Sequence, residues 1–341
     1  MDLLKSPAPE RWFHNCLGID TVPEGTIPQR FTPAQLADYA AAPAQEVRSR
    51  CAAGICIALT TDSAEISIDF SSGNGARSIA FFDLTVNGML AATAGWENYA
   101  GGRNCVTFQI PHESARQEQV VHIYLPHCRE LILHAVTLPD AASAAPIAAP
   151  ERTLLCLGDS TTQGMTAKSP FSTVAVQLAR FLDMRLLNQG VGGDVFDAVH
   201  LDALPGTPPS LITVAYGTND WGRTETAEAF RKTAADYLKK LRDLYSASEI
   251  FVLTPIWRAD WQEVRAMGSF ADIAASIADV TSQFPNMTLI NGLDLVPHMP
   301  EYYADGKVHP NDAGFLHYAL NAARKITRIF HEFMRLELVV E

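Results

Sequence analysis

The sequence lacks the features that send a chain into or across a membrane. No basic stretch followed by an apolar core stands at the N-terminus, MDLLKSPAPERWFHN, and no run of about 18 apolar residues occurs in the 341 residues. We therefore expect a cytoplasmic protein with no membrane partner. A chain from which a signal peptide had been removed would look the same, so a secreted protein stays open.

Basic residues are also scarce. The chain carries 26 Lys and Arg against 38 Asp and Glu, which gives a formal net charge of -12 at pH 7. Nucleic acids and anionic membranes are themselves negatively charged and are repelled by such a balance. We predict no nucleic-acid partner and expect a neutral or cationic substrate. The charge leaves the oligomeric state undetermined.

Paired metal-binding motifs are missing as well. The six cysteines have no CxxC spacing, and we interpret them as free, mostly buried thiols. Three histidines fall in or beside strand-like runs without an accompanying carboxylate cluster, which favours structural roles over a metal site: His122, His127 and His134. We predict neither a metal nor a cofactor.

The length exceeds what a single core usually holds, so two domains are expected. Residues 1–145 contain short alternating runs such as AEISIDFS and NCVTFQI, separated by turn-forming stretches, a pattern typical of an all-β, jelly-roll-like sandwich. Before these runs, residues 31–42 predict one short helix with Thr32 as cap and Pro33 at its first position. A linker is predicted over residues 146–151, within an Ala- and Pro-rich stretch.

Residues 152–341 alternate strand-like and helix-like segments, which predicts an α/β domain. The simplest arrangement of these segments is a five-stranded parallel sheet with helices on both faces. The clearest helix is predicted over 225–244, where apolar residues fall on one face. The other helices are predicted near 170–183, 195–203, 264–283 and 311–335.

The segments that can carry chemistry lie just beyond these strands or just before the last helix. Ser160 follows the apolar strand of TLLCLGDSTTQG, NQGVGGD (188–194) and GTND (217–220) follow the next two strands, and DGKVHPN (305–311) precedes the final helix. The carboxyl ends of parallel strands meet at one crevice, so these loops are expected to converge there.

Their residue types predict acyl transfer at a serine. A serine hydroxyl needs a base to take its proton, and the imidazole of His309 is the plausible one. The oxyanion that forms on attack needs fixed donors, for which the backbone N–H groups of Ser160 and Gly193 and the Asn219 amide are suited. Asp305 is placed to orient the imidazole.

Taken together, GDS at 158–160, NQGVGGD, GTND and DGKVHPND resemble the four sequence blocks of the SGNH (GDSL-type) hydrolase superfamily, over about 155–315. The resemblance implies a flavodoxin-like sheet, no metal, and ester hydrolysis through an acyl-serine. By position it assigns Ser160 as nucleophile, Gly193 and Asn219 as oxyanion-hole residues, and His309 as base.

One position departs from the family pattern, which places an aspartate three residues before the histidine. Here that position is Gly306, and Asp305 stands four residues before His309. Either the loop bulges by one residue and Asp305 still reaches the imidazole, or a backbone carbonyl orients the ring and the site works as a dyad. We favour the first alternative.

A β-sandwich ahead of such a domain resembles the two-domain bacterial carbohydrate esterases that remove acetyl groups from sugars. This likeness implies a sugar lying between the domains. Trp221, Trp257 and Arg258 follow strand ends and are predicted either to line that crevice or to pack beneath it.

The leading hypothesis is a serine esterase that cleaves small acyl groups, acetyl above all, from a carbohydrate through an acyl-serine intermediate. Its substrate would be a small-molecule or oligosaccharide ester. A lipase, lysophospholipase or thioesterase for longer chains is the enzymatic alternative, although no Leu- and Phe-rich lid is evident near the motifs. A glycan-binding protein with an inactive hydrolase domain is the third, although Ser160, Asn219 and His309 are all present.

Overall fold

In the computed structural model, residues 1–111 and 117–337 are described, the last eight of them by their backbone. Residues 112–116 of the predicted first domain and 338–341 of the predicted second domain lie outside the described residues.

The N-terminal part is a sandwich of two antiparallel sheets, as its alternating runs predict. One sheet has the order β1-β4-β9-β6-β7 with β11 paired to β4, and the other has the order β2-β3-β10-β5-β8. Alternate side chains of β5, Ile66, Ile68 and Phe70, are fully buried between the sheets. The strands are β1 Phe13–His14, β2 Gly18–Val22, β3 Gly25–Gln29, β4 Cys56–Thr61, β5 Glu65–Ser72, β6 Ala80–Val86, β7 Met89–Trp96, β8 Gly102–Gln109, β9 Gln119–Tyr124, β10 Ile132–Thr137 and β11 Ala144–Pro146.

Two helices, α1 Pro33–Tyr39 and α2 Pro43–Ser49, interrupt the sandwich between β3 and β4. The first confirms the predicted helix: Thr32 caps it and forms a reciprocal capping box with Gln35. The second was not predicted, because its sequence, PAQEVRS, offers no apolar stripe and no side-chain cap.

The second domain is built on a five-stranded parallel sheet with the flavodoxin-like order β13-β12-β14-β15-β18. Every residue of β12 is buried, as expected for a central strand covered on both faces. The strands are β12 Thr153–Gly158, β13 Arg185–Gly190, β14 Leu211–Ala215, β15 Glu249–Leu253 and β18 Met287–Ile290, with a separate hairpin of β16 Val264–Arg265 and β17 Gly268–Ser269.

Most of the predicted helices of this domain are present, and two predictions need correction. The predicted helix at 264–283 begins only at Phe270, because the hairpin β16–β17 precedes it and Ser269 forms a capping box. Residues 195–203 hold only a short 3-10 helix, Ala198–His200. The helices are α3 Ser160–Gln163, α4 Val174–Phe181, α5 Asp220–Arg223, α6 Ala227–Leu244, α7 Phe270–Thr281 and α8 Asp312–Glu337.

No helix in the described ranges combines the length and the apolar character needed to cross a bilayer.

A buried arginine connects the end of α2 to the parallel sheet through hydrogen bonds. Arg30 is 3% exposed, and its Nη1 donates to the carbonyl oxygens of Asn188 at 2.6 Å and Gly190 at 3.1 Å, both on β13. The same guanidinium donates from Nη2 to the Arg48 carbonyl at 2.9 Å and from Nε to the Cys51 carbonyl at 2.6 Å. These bonds place α2 beside the loop that follows β13.

Candidate active site

Ser160 lies where β12 ends and α3 begins. Its neighbour Asp159 caps α3 by accepting the N–H of Thr161 at 2.9 Å. The turn before it demands glycine, since a Cβ on Gly158 would lie 2.1 Å from Thr162 Oγ1 and 2.9 Å from the Ala215 carbonyl oxygen. The glycine of the GDS motif therefore lets the strand and the helix approach closely enough to present Ser160 at the sheet edge.

The structure brings Ser160, His309 and Asp305 into one hydrogen-bonded chain. Ser160 Oγ lies 3.0 Å from His309 Nε2, and His309 Nδ1 lies 2.8 Å from Asp305 Oδ2. This is the spacing that a nucleophile, a general base and an orienting carboxylate require.

The loop that holds Asp305 accommodates the extra residue at Gly306. Gly306 has a φ of +66°, a left-handed conformation that glycine adopts without a Cβ penalty. Asp305 Oδ1 then accepts the backbone N–H groups of Lys307 at 2.9 Å, Val308 at 2.8 Å and His309 at 3.2 Å, which leaves Oδ2 free for the imidazole. Burial raises the pKa of Asp305, but the hydrogen bonds from Val308, the His309 side chain and Lys307 outweigh it and hold that pKa well below its usual value.

The Gly-rich loop after β13 is fixed against the Ser160 turn. Val191 N–H donates to the Gly158 carbonyl at 2.9 Å, and Gly192 N–H donates to Gln163 Oε1 at 2.8 Å. Gly193 takes a φ of +81°. Within the described ranges, the N–H groups of Ser160 and Gly193 donate to no other protein group, so both are available as donors.

The Asn219 side chain reaches the same place but is already engaged. Its Nδ2 donates to the Asp194 carbonyl at 3.0 Å and to Asp159 Oδ2 at 3.3 Å. Burial raises the pKa of Asp159 to about 6. For Asn219 to donate to an oxyanion, one of these two bonds has to open, and the longer one to Asp159 is the weaker.

The three residues predicted beside the crevice lie beneath the surface. Trp221 is fully buried and donates from Nε1 to the Gly268 carbonyl at 3.0 Å, and Trp257 is 9% exposed. Arg258 is 7% exposed, lies over the Trp221 ring and pairs with Asp260. The structure thus gives these side chains packing contacts that support the strand-end loops.

A cavity of about 710 Å³ lies between the sandwich and the second domain, and residues next to the triad of Ser160, His309 and Asp305 form part of its wall. Two of its wall residues are bonded to the triad backbone: Met165 N–H donates to the Ser160 carbonyl at 3.0 Å, and Ala304 N–H donates to the His309 carbonyl at 2.8 Å. The opposite wall comes from β6 and β7, including Phe81 and Thr93. Apart from Asp312 in DGKVHPND, the lining residues belong to no motif that marks a site in the sequence.

Sequence reasoning also missed Arg48, which α2 carries to the Gly-rich loop. Its Nη1 donates to the Gly192 carbonyl at 2.7 Å. No motif marks this arginine, and 144 residues separate the two partners.

Three histidines, His122, His127 and His134, lie outside the candidate site, as do the six cysteines. In the described part of the chain, no group of three His, Cys, Asp or Glu side chains is placed to hold a metal ion. Burial lowers the pKa values of His122 and His127 to about 4, and His134 bonds to Ser71 Oγ at 3.0 Å. All six cysteines are free, and only Cys105 is exposed.

Comparison with known proteins agrees with this arrangement. Residues 156–315 match the model of the GDSL-like Lipase/Acylhydrolase family. No curated protein matches the sequence.

Several solved structures share both domains. A salicylyl-acyltransferase, SsfX3, from a tetracycline biosynthetic pathway is 19% identical with a TM-score of 0.77 over 93% of this chain and 94% of its own. A protein of Bacteroides ovatus assigned as a GDSL-like lipase is 18% identical with a TM-score of 0.76, covering 96% and 97%. A family two carbohydrate esterase from Clostridium thermocellum, crystallised with cellohexaose, is 15% identical with a TM-score of 0.66, covering 93% and 98%. These similarities establish the fold.

Proposed function

We propose that this protein is a serine esterase that removes small acyl groups, acetyl above all, from a carbohydrate. The match of residues 156–315 to the model of the GDSL-like lipase/acylhydrolase family supports the proposal. The observation that carries the proposal is the hydrogen-bonded chain from Ser160 Oγ through His309 to Asp305. The cavity between the two domains has Ala304, the neighbour of Asp305, in its wall.

In the proposed mechanism, His309 Nε2 takes the proton of Ser160 Oγ as the oxygen attacks the ester carbonyl. Asp305 holds the ring so that Nε2 faces the serine, and it stabilises the imidazolium that forms. The tetrahedral oxyanion is bound by the N–H groups of Ser160 and Gly193 and by the Asn219 amide. The imidazolium then protonates the leaving alcohol, and a water activated by His309 hydrolyses the acyl-serine.

The shape of the site supports a small acyl group and a larger alcohol. Ser160 is only 6% exposed, which supports a small acyl group over a long chain. The cavity of about 710 Å³ is of the size that ligand sites in proteins usually have. The family two esterase with a similar fold was crystallised with an oligosaccharide, cellohexaose, which supports a carbohydrate as the alcohol.

A chain-length series of 4-nitrophenyl esters, run beside acetate release from a panel of acetylated sugars, tests the proposal. We expect the highest kcat/KM with the acetyl or propionyl ester and acetate release from at least one sugar. Activity that peaks at about eight carbons or longer would replace the proposal with a lipase or thioesterase. Glycan binding without any ester hydrolysis would support a glycan-binding protein with an inactive hydrolase domain.

Transfer of the acyl group to an alcohol is a second candidate. The similar fold of the salicylyl-acyltransferase and the cavity beside Ser160 favour testing it. An added sugar that raises nitrophenol release while suppressing acetate release would identify transfer. Hydrolysis alone leaves the two rates equal.

A further inference from the structure

Two arginine side chains flank the predicted oxyanion residue Gly193. Arg48 Nη1 donates to the Gly192 carbonyl at 2.7 Å, and Arg223 Nη1 donates to the Gly193 carbonyl at 2.5 Å. A Cβ placed on Gly193 would lie 2.9 Å from Arg48 Nη1 and 3.5 Å from Arg223 Nη2. One guanidinium arrives from helix α2 and the other from the end of α5, so they converge from two domains.

Within the described residues, neither of these charges is neutralised by an ion pair. Among the ion pairs formed within the described ranges, none involves Arg48 or Arg223. Arg77 adds a third positive charge nearby. The pKa of Arg48 is lowered first by its burial and then by the positive charges of Arg77 and Arg223, so both of these charges act on Arg48. An acidic protein thus concentrates unpaired positive charge at one point, beside Gly193.

The two guanidinium groups also have donors to spare. A guanidinium carries five N–H donors in a planar fork. Within the part of the chain that is described, the side chains of Arg48 and Arg223 each donate to one loop carbonyl, which leaves most of each fork unused. Holding two carbonyls needs no full charges, whereas an anion would use both the charge and the remaining donors.

Arg77, whose charge acts on Arg48, also lines the adjacent cavity. Arg77 and Lys168 line the cavity together with the acidic Glu97 and Asp312, so its wall is balanced overall. Asp312 Oδ1 accepts the Lys168 N–H at 2.9 Å and is therefore engaged. The excess of positive charge lies on Arg48 and Arg223.

We infer that the substrate of this esterase carries a carboxylate close to its ester, bound by Arg48 and Arg223 above the Gly-rich loop. The inference rests on the proposed function and names its substrate class. It differs from the neutral or cationic substrate expected from the net charge, because the local charge at the site is opposite in sign to that of the whole protein. The carboxylate belongs either to the acyl group or to the alcohol.

Paired substrates test this with the intact protein. On the acyl side, mono-4-nitrophenyl glutarate is compared with its methyl ester, which has the same length and no charge. On the alcohol side, acetylated methyl glucuronoside is compared with its methyl ester. We expect one acid to exceed its neutral partner about tenfold to a hundredfold in kcat/KM, as charge-assisted hydrogen bonds allow.

The readout in variants is the ratio of kcat/KM for acid and methyl ester, which does not depend on the amount of active enzyme. Arg48→Gln and Arg223→Gln should each lower this ratio about tenfold, and the double variant should bring it near one. Arg50→Gln is the matched control, because Arg50 is two residues from Arg48 and is paired with Glu46 and Glu130. Its ratio should equal that of the wild type.

The outcomes are distinguishable. Ratios near or below one for both acids, with 4-nitrophenyl acetate still hydrolysed, would overturn the inference and leave the esterase proposal standing. A high ratio that persists in both arginine variants would also overturn it. Failure to hydrolyse any ester would remove the esterase proposal and the inference with it.

Discussion

Asp305 Oδ2 lies 2.8 Å from Nδ1 of His309, although four residues rather than three separate them along the chain. The extra residue is Gly306, whose left-handed φ of +66° turns the backbone so that three successive N–H groups point at the other carboxylate oxygen. The geometry is that of a full Ser-His-Asp arrangement, and it favours the first of the two alternatives left open by the sequence.

Replacing Asp305 by alanine should lower kcat for 4-nitrophenyl acetate about 10³- to 10⁴-fold, because the imidazole loses the group that orients it. The measurement is steady-state kinetics, with Asp294→Ala, an exposed acid paired with Lys325, as the control. A loss smaller than about tenfold would mean that the site works as a Ser-His dyad.

Replacing Asn219 by alanine should lower kcat about 10²- to 10³-fold with little change in KM, since an oxyanion donor acts mainly in the transition state. In the structure the Asn219 amide donates to Asp159 and Asp194. To act as an oxyanion donor it has to release the longer bond, 3.3 Å to Asp159, during the reaction. A loss of less than about threefold would show that Asn219 only connects these loops.

The positions of the site loops could be predicted from the sequence, because each candidate catalytic residue follows a recognisable strand or precedes a recognisable helix. Ser160 follows a fully buried strand, Gly193 lies in a run too rich in glycine for a helix, and His309 precedes the last helix. Parallel strands then place these loops at one edge of the sheet. The reach of Asp305 across the extra residue depends on the conformation of Gly306, which the sequence permits but does not specify.

The contributions of the first domain were beyond sequence reasoning. Arg48 sits on a helix with no apolar stripe, and its partner Gly192 is 144 residues away. The burial of Trp221 was equally hidden, since a tryptophan after a strand end fits both a crevice and a core. The position of Arg48 depends on how the two domains pack together, and the burial of Trp221 depends on its contacts with Gly268, Phe270 and Arg258 within the second domain, neither of which local patterns encode.

The buried Arg30 should make a large contribution to stability. Its guanidinium donates to carbonyls of both domains, and a lysine side chain would offer a single ammonium without the planar fork, so Arg30→Lys should lower the free energy of unfolding by about 3 kcal/mol. Urea unfolding measures it, with Arg103→Lys at the exposed pair with Asp69 as the control, expected below about 1 kcal/mol. Equal effects of the two substitutions would contradict this role.

His127 should make the protein less stable in acid. Burial lowers its pKa from 6.5 to about 4, so as pH falls from 6.5 toward 4 the unfolded chain binds a proton that the folded chain does not. The stability contributed by the neutral ring is complete above pH 6.5 and is lost as pH falls toward 4, by up to about 3 kcal/mol.

Urea unfolding of the wild type and His127→Gln at pH 7 and pH 4.5 measures this contribution. The free energy of unfolding of the wild type minus that of the variant should be smaller at pH 4.5 than at pH 7. The exposed His298→Gln should follow the wild type at both pH values. A difference that is the same at both would contradict the assignment.

The proposed function depends above all on Ser160 as the nucleophile. The most direct measurement is 4-nitrophenyl acetate hydrolysis by the wild type and by Ser160→Ala at equal concentration, with circular dichroism to verify that both are folded. We expect clear turnover by the wild type and a fall of at least about 10³-fold in the variant. A folded Ser160→Ala protein that keeps its activity would contradict the assignment of the nucleophile and of the site built around it.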